Sequence, residues 1–205
     1  LPNSSSIWIA DKNTIGVNEP VKLTWTSDQN ITFEKIITLD ENYLFSVDQR
    51  VINNSGLSFD LYPYGLSKRQ GIPEMQNFFI LHEGPLSITD GVLEEYDYDD
   101  LKDDKKIKHS SVGGWIGMTD KYWQTAIIPN QNEPVQQTYS YSFVDNIDNF
   151  QTDIVGERIA VSNNASISHN FKIFAGPKIV NIIDKYMEEY GFDGFDRSVD
   201  FGWFY

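Results

Sequence analysis

Apolar and polar residues alternate through most of the first 175 positions, and a period of two admits few folds. "VKLTWT" sets Val21, Leu23 and Trp25 against Lys22, Thr24 and Thr26. "YLFSVDQRV" places Tyr43, Phe45, Val47 and Val51 on one face, and its opposite face ends in Ser46, Asp48 and Arg50. "YSYSF", Tyr139 to Phe143, and "ISHNFKI", Ile167 to Ile173, repeat the pattern. Alternation of this kind marks strands with one buried and one wet face. Polar turn clusters separate them: "SDQN" at 27–30, "DEN" at 40–42, "NNSG" at 53–56 and "SNNAS" at 162–166. Short strands at intervals of roughly 8–12 residues indicate a β-sandwich rather than alternating βαβ units. The sequence holds no internal repeat.

After Ile173 the pattern changes. In "FAGPKIVNIIDKYMEEYG", Gly176 and Pro177 are placed to open a helix, where proline loses no needed hydrogen bond. Ile179, Ile182, Ile183, Tyr186, Met187 and Tyr190 then share one helical face, while Asn181, Asp184, Lys185, Glu188 and Glu189 share the other. Gly191 supplies the stop. The spacing predicts a helix of about four turns beginning near Pro177. Its apolar face is expected to cover the protein's own sheet, because helices that lie on lipid carry lysine and arginine where this one is acidic. Residues 94–106, "EEYDYDDLKDDKK", break the alternation and read as a solvated loop. Calcium on Asp97, Asp99 and Asp100 is the sharper alternative. The segment lacks the glycine and distal glutamate of an EF-hand, and no metal site is predicted.

Charge and composition exclude several classes of function. Thirty acidic against sixteen basic residues give a formal charge of -14, which repels phosphate backbones, so no nucleic-acid partner is expected. The chain has no cysteine, which removes disulfides, thiolate nucleophiles and thiolate metal sites. Sequons at Asn3, Asn30, Asn53 and Asn164 read as chance matches in an asparagine-rich chain. No run reaches the roughly 18–20 apolar residues of a membrane-spanning helix. The chain begins with leucine and reads as a processed product or a piece of something longer. Among the histidines, His169 sits on the apolar face of "ISHNFKI" and reads as a packed side chain. His82 and Glu83 are strand neighbours pointing to opposite faces, and His109 has no evident partner. No nucleophile elbow, phosphate loop, metalloprotease motif or dinucleotide fingerprint occurs. No catalytic or cofactor-binding residue is assigned, and no cofactor is expected.

The richest segment is "HSSVGGWIGMTDKYWQTAIIP", residues 109–129. Gly113 and Gly114 precede Trp115, and Tyr122 and Trp123 add two large rings before Pro129 ends a strand. Such glycine density marks sharp turns or close backbone approach beside bulky rings. The segment reads either as a tightly packed sandwich corner or as an aromatic platform for a sugar. "GGWIGMTDKYWQTAIIP", then "FKIFAGPK" opening the helix, then "FDRSVDFGWFY" resemble, in order and spacing, the periplasmic domain of the YidC membrane protein insertase family. The similarity spans essentially the whole chain. It is strongest from Gly113 to Pro129 and from Phe174 to Tyr205, and vague before Gly65.

The resemblance implies a mainly β fold: a twisted two-sheet antiparallel β-supersandwich of the galactose-mutarotase kind with a C-terminal amphipathic helix, lacking some upstream strands. It implies a sandwich over residues 1–174, then a helical, membrane-proximal segment over 175–205 leading into a transmembrane helix. Phe195, Val199, Phe201, Trp203, Phe204 and Tyr205 are the expected membrane-proximal residues, since tryptophan and tyrosine favour headgroup depth. Ile179, Ile182, Ile183, Tyr186 and Met187 are the expected helix-packing residues. Gly113, Gly114, Trp115, Tyr122, Trp123, Pro129, Gly176, Pro177, Asp200 and Gly202 are the family-motif structural positions. The implied function is non-enzymatic: a periplasmic platform of an insertase and chaperone in the bacterial inner membrane. Its implied partners are nascent inner-membrane proteins through the full-length protein, the bilayer surface near the C-terminus, and accessory subunits of the Sec translocon through about Ser67 to Ser111. A carbohydrate-binding or carbohydrate-active sandwich is the competing expectation.

Overall fold

The computed structural model describes residues 1–73 and 81–199. In chain order the strands are β1 (Ile9–Ala10), β2 (Val21–Thr26), β3 (Ile31–Leu39), β4 (Leu44–Asn53), β5 (Phe59–Leu61), β6 (Tyr64–Gln70), β7 (Gly84–Thr89) and β8 (Val92–Glu95). Helix α1 (Tyr98–Asp104) follows. Then come β9 (Lys106–Val112), β10 (Trp115–Thr119), β11 (Trp123–Ile128), β12 (Pro134–Val144), β13 (Ile147–Gly156), β14 (Ile159–Val161) and β15 (Ala165–Pro177). Helix α2 (Val180–Tyr190) and a 3-10 turn (Phe195–Ser198) close the described chain. The fold is mainly β, as the alternation requires.

The chain forms two compact units, and they do not divide at residue 174 as a simple sandwich-plus-tail. The first takes residues 1–63 and 157–173; the second takes 64–156 and the chain from 174 onward. In the first unit the strand order is β1-β2-β3-β4-β15. The register Val21↔Ile37↔Val47 and Trp25↔Phe33↔Val51 gathers the apolar side chains on one face. Opposite them, Glu34 lies between Lys22 at 3.5 Å and Arg50 at 3.7 Å. Asn53 is fully buried, and its amide nitrogen donates to the carbonyls of Leu57, Val161 and Ser162 at 2.7, 3.1 and 3.1 Å. Leu57 and Ser162 lie in exposed turns, so the Asn53 side chain ties two turns to the end of β4 and has a structural role.

The second unit is layered. One sheet has the order β6-β13-β12-β9, and the end of β15 continues into β11-β10-β7-β8. The sheets meet through β10 and β13, β11 and β6, and β7 and β9, with Ser67 and Thr125 hydroxyls 3.1 Å apart between them. Every residue of β10, "WIGMT", is buried. That demands cover on both faces. Ile116 and Met118 enter the inter-sheet core. Trp115 points the other way, towards α2 and the 3-10 turn, as its hydrogen bond to Asp193 shows. At Gly117 a Cβ would fall 1.8 Å from the Thr125 carbonyl oxygen, so only glycine permits this β10–β11 pairing.

Two expectations change here. The acidic stretch is not wholly a loop, because residues 98–104 form α1. Asp100 accepts from the Asp97 backbone N–H at 3.1 Å, a cap of the helix start. Tyr98 and Leu101, spaced i and i+3, are its buried residues. The second helix starts three residues later than Pro177, because Gly176 and Pro177 remain in β15. The Lys178 backbone N–H is donated to the Tyr122 carbonyl at 2.8 Å. Ile179 is the N-cap, and Gly191 in the left-handed conformation ends the helix.

Candidate functional site

Several residues of the segments carrying the family resemblance, Trp115, Phe174 and Phe195, converge on the outer face of β10. The Trp115 ring meets Phe195 edge-on, with centroids 5.5 Å apart. Its indole N–H donates to the Asp193 carbonyl at 3.1 Å. Phe195 also lies 5.5 Å from Phe174 and 5.8 Å from Phe192, each near perpendicular. Tyr186 of α2 completes the cluster at 6.1 Å from Phe174. Edge-to-face pairs of this kind add about 0.5–1.5 kcal/mol each beyond area burial. Gly113 and Gly114 both have positive φ, and a Cβ on Gly114 would fall 2.1 Å from the Ile88 carbonyl oxygen. The tight turn they make starts β10 at Trp115. Pro129 is buried directly after β11.

Of the expected helix-packing residues, Ile183 and Tyr186 are buried, Ile182 and Met187 are half-buried, and Ile179 is exposed at the cap. Met187 sulfur accepts the Asp196 N–H at 3.1 Å, tying the 3-10 turn to α2. Arg197 donates to the Gly91 carbonyl at 2.7 Å. Phe195, among the expected membrane-proximal residues, has its ring fully enclosed in the core. Val199 is half-buried. Asp200, Phe201, Gly202, Trp203, Phe204 and Tyr205 lie outside the described residues.

At the far end of β10 the chain turns through Tyr122, 63% exposed, and enters β11 at Trp123, 56% exposed. The Lys121 ammonium lies 5.1 Å from the Tyr122 ring centroid. Because Tyr122 accepts the Lys178 N–H, this turn sits beside the exposed start of α2, Ile179 and Val180. Beneath it, Arg69 of β6 holds Asp120 through both guanidinium nitrogens, one bond measuring 2.6 Å, and donates to the Tyr98 hydroxyl at 2.9 Å. The hydrogen bond to Asp120 raises the Arg69 pKa still further. The charge density of "YDYDDL" hid the burial of Tyr98, whose signal was its i, i+3 spacing to Leu101.

No cluster of three or more histidine or carboxylate side chains is set to hold a metal ion among the described residues. His82 precedes β7 rather than lying in a strand, and its Nε2 is 3.1 Å from the Pro85 carbonyl. His109 Nε2 is 2.8 Å from the Tyr96 hydroxyl. His169 packs on Phe171 at 4.6 Å. Burial raises the pKa of Tyr98 and of Tyr139, which keeps both phenols neutral. In the first unit, the apolar sheet face and residues 10–15 enclose an open groove of about 560 Å³, floored by Leu23, Ile37, Phe45 and Val47.

Comparison with known proteins agrees with the whole-chain resemblance. The family model described as the YidC periplasmic domain matches residues 1–205. The membrane protein insertase YidC of Rickettsia canadensis (strain McKiel) is 39% identical over 206 residues, covering 100% of this chain and 37% of the relative. Its counterpart from Rickettsia rickettsii (strain Sheila Smith) is 38% identical with the same coverage. The chain thus spans little more than a third of the length of these relatives. Among solved structures, a putative aldose 1-epimerase from Escherichia coli K12 superposes with a TM-score of 0.51 at 10% identity, covering 82% of this chain and 68% of that one. That likeness establishes the galactose-mutarotase type of fold.

Proposed function

Since the chain belongs to the YidC periplasmic-domain family, we propose that it is the periplasmic platform of a membrane protein insertase of the bacterial inner membrane. In this reading it is a non-enzymatic part that fixes the orientation of whatever its C-terminal segment joins. One observation carries the reading: the chain through Phe195 is built into the core of the second unit by Trp115, Phe174 and Phe192. A tail held by enclosed rings transmits orientation, whereas an exposed tail would act only as a tether. No helix among the described residues is long and apolar enough to cross a membrane, so spanning would fall to the rest of the longer protein.

The same reading assigns contact with Sec translocon accessory subunits to about Ser67–Ser111. That range contains most of β9 and of β6, the marginal strands of the four-stranded sheet among the described residues. Marginal strands offer unpaired backbone groups to a partner.

The test inserts a flexible Gly-Ser spacer after Val199 in the full-length protein and assays insertion of a single-span substrate. A platform predicts several-fold slower insertion with the domain's melting temperature unchanged. Undiminished insertion would show that the domain is merely tethered.

A further inference from the structure

The groove of the first unit has no part in the platform reading. Its floor crosses four neighbouring strands, with Leu23 of β2, Ile37 of β3, Phe45 of β4 and Ile173 of β15. Three inter-strand steps make that floor about 14 Å wide. The roof is an arch anchored at both ends: the Asp11 N–H donates to the Lys22 carbonyl at 3.0 Å, and the Asn18 N–H to the Leu39 carbonyl at 2.7 Å. Between the anchors the arch lends Lys12, Asn13, Thr14 and Ile15 to the groove. The volume of about 560 Å³ suits a small ligand.

Backbone pairing and charge decide what such a ligand would be. β2, β3 and β4 each lie between two paired neighbours, so the floor offers side chains and no spare backbone groups. An extended peptide laid on it would leave its own N–H and C=O groups unpaired, whereas a hydrocarbon chain has none to satisfy. Lys12 is the one ionised side chain lining the groove among the described residues, and none of them engages its ammonium. The neighbouring Asp11 carboxylate is turned to the Lys22 N–H, which it accepts at 2.8 Å. Asn13 and Thr14 add hydrogen-bond donors beside Lys12. In a chain of formal charge -14, this apolar surface is lined by a cation and by no carboxylate.

We propose that the groove binds a free fatty acid, with its single acyl chain across Leu23, Ile37, Phe45 and Ile173 and its carboxylate at Lys12. The test compares dodecanoate with dodecyltrimethylammonium by titration calorimetry on the 205-residue chain, below the micellar concentration of either. Non-specific binding to so acidic a chain favours the cationic amphiphile, so tighter binding of dodecanoate, by several-fold, is diagnostic. Lys12→Glu, at an exposed position, should reverse the order without changing the melting temperature. Decanoate, two methylenes shorter, should bind about tenfold more weakly than dodecanoate. Leu23→Trp should fill the groove and abolish binding. Ile15→Asp, on the exposed arch, should weaken both amphiphiles and decides the matter if Leu23→Trp lowers the melting temperature. Leu57→Ser, exposed elsewhere in the same unit, should change nothing.

Tighter binding of the cationic amphiphile, no saturable binding, or indifference to Ile15→Asp would overturn the proposal. So would displacement of dodecanoate by an apolar peptide at lower concentration, which would make the groove a polypeptide site. Binding by this chain but not by the full-length protein would also overturn it, since another segment would then fill the groove. Failure here leaves the spacer result standing, because that experiment concerns the other unit.

Discussion

The two units solve the same problem, covering the apolar face of a sheet, with very different thoroughness. In the first, every residue of β3 is only half-buried, and an irregular segment roofs an open groove. In the second, β10 is enclosed completely, with a facing sheet on one side and α2 with the 3-10 turn on the other. A strand with two covered faces removes nearly all its apolar surface from water, at about 25 cal/mol per Å². A strand with one partly covered face removes much less. The rigid part of the molecule is therefore expected to be the one into which the C-terminal segment is built, and local opening should be easier in the first unit.

The sharpest way to break this contrast is Phe195→Ala. Removing a fully enclosed ring that touches Trp115, Phe174 and Phe192 should cost about 3–5 kcal/mol. Chemical denaturation would read this directly, and a loss below about 1 kcal/mol would show that the tail is only loosely seated. In the first unit, Asn53→Ala removes a fully buried amide that bonds the carbonyls of Leu57, Val161 and Ser162 and should cost about 1–3 kcal/mol. Hydrogen exchange should then quicken in β4, β5 and β14, and quickening confined to β10 and β11 would contradict the assignment. The smallest effect has the opposite sign. Gln124 is 3% exposed, and among the described residues neither its amide nitrogen nor its amide oxygen has a hydrogen-bond partner. Gln124→Met should stabilise by about 1 kcal/mol, because an unsatisfied buried amide is replaced by an apolar side chain of similar length. A lowered melting temperature would refute that reading.

Much of the fold was legible before any coordinates. Val21, Leu23 and Trp25 share a face as their alternation requires, and the pairings with Ile37 and Phe33 follow it. Ile183 and Tyr186 face inward as the helical stripe predicts. Other features were hidden for identifiable reasons. Charge density in 94–106 masked a helix whose signal was only Tyr98 and Leu101. The glycine–proline pair looked like a helix start because proline suits that position, yet a backbone bond to Tyr122 keeps the segment extended. The Arg69, Asp120 and Tyr98 network joins residues far apart in sequence. Pattern alone does not reveal which of many charges will meet.

The sequence by itself determined the β architecture, the C-terminal helix and the family, because period, turn chemistry and motif order are local properties. It did not determine which aromatic residues are hidden and which are displayed. Trp115 and Trp123 lie in the same hairpin, and Phe195 stands in the run that reads as membrane-proximal. Only tertiary packing encloses Trp115 and Phe195 in one cluster and leaves Trp123 in solvent. Burial depends on what the rest of the chain brings to cover a ring, and that is a property of the assembled layers.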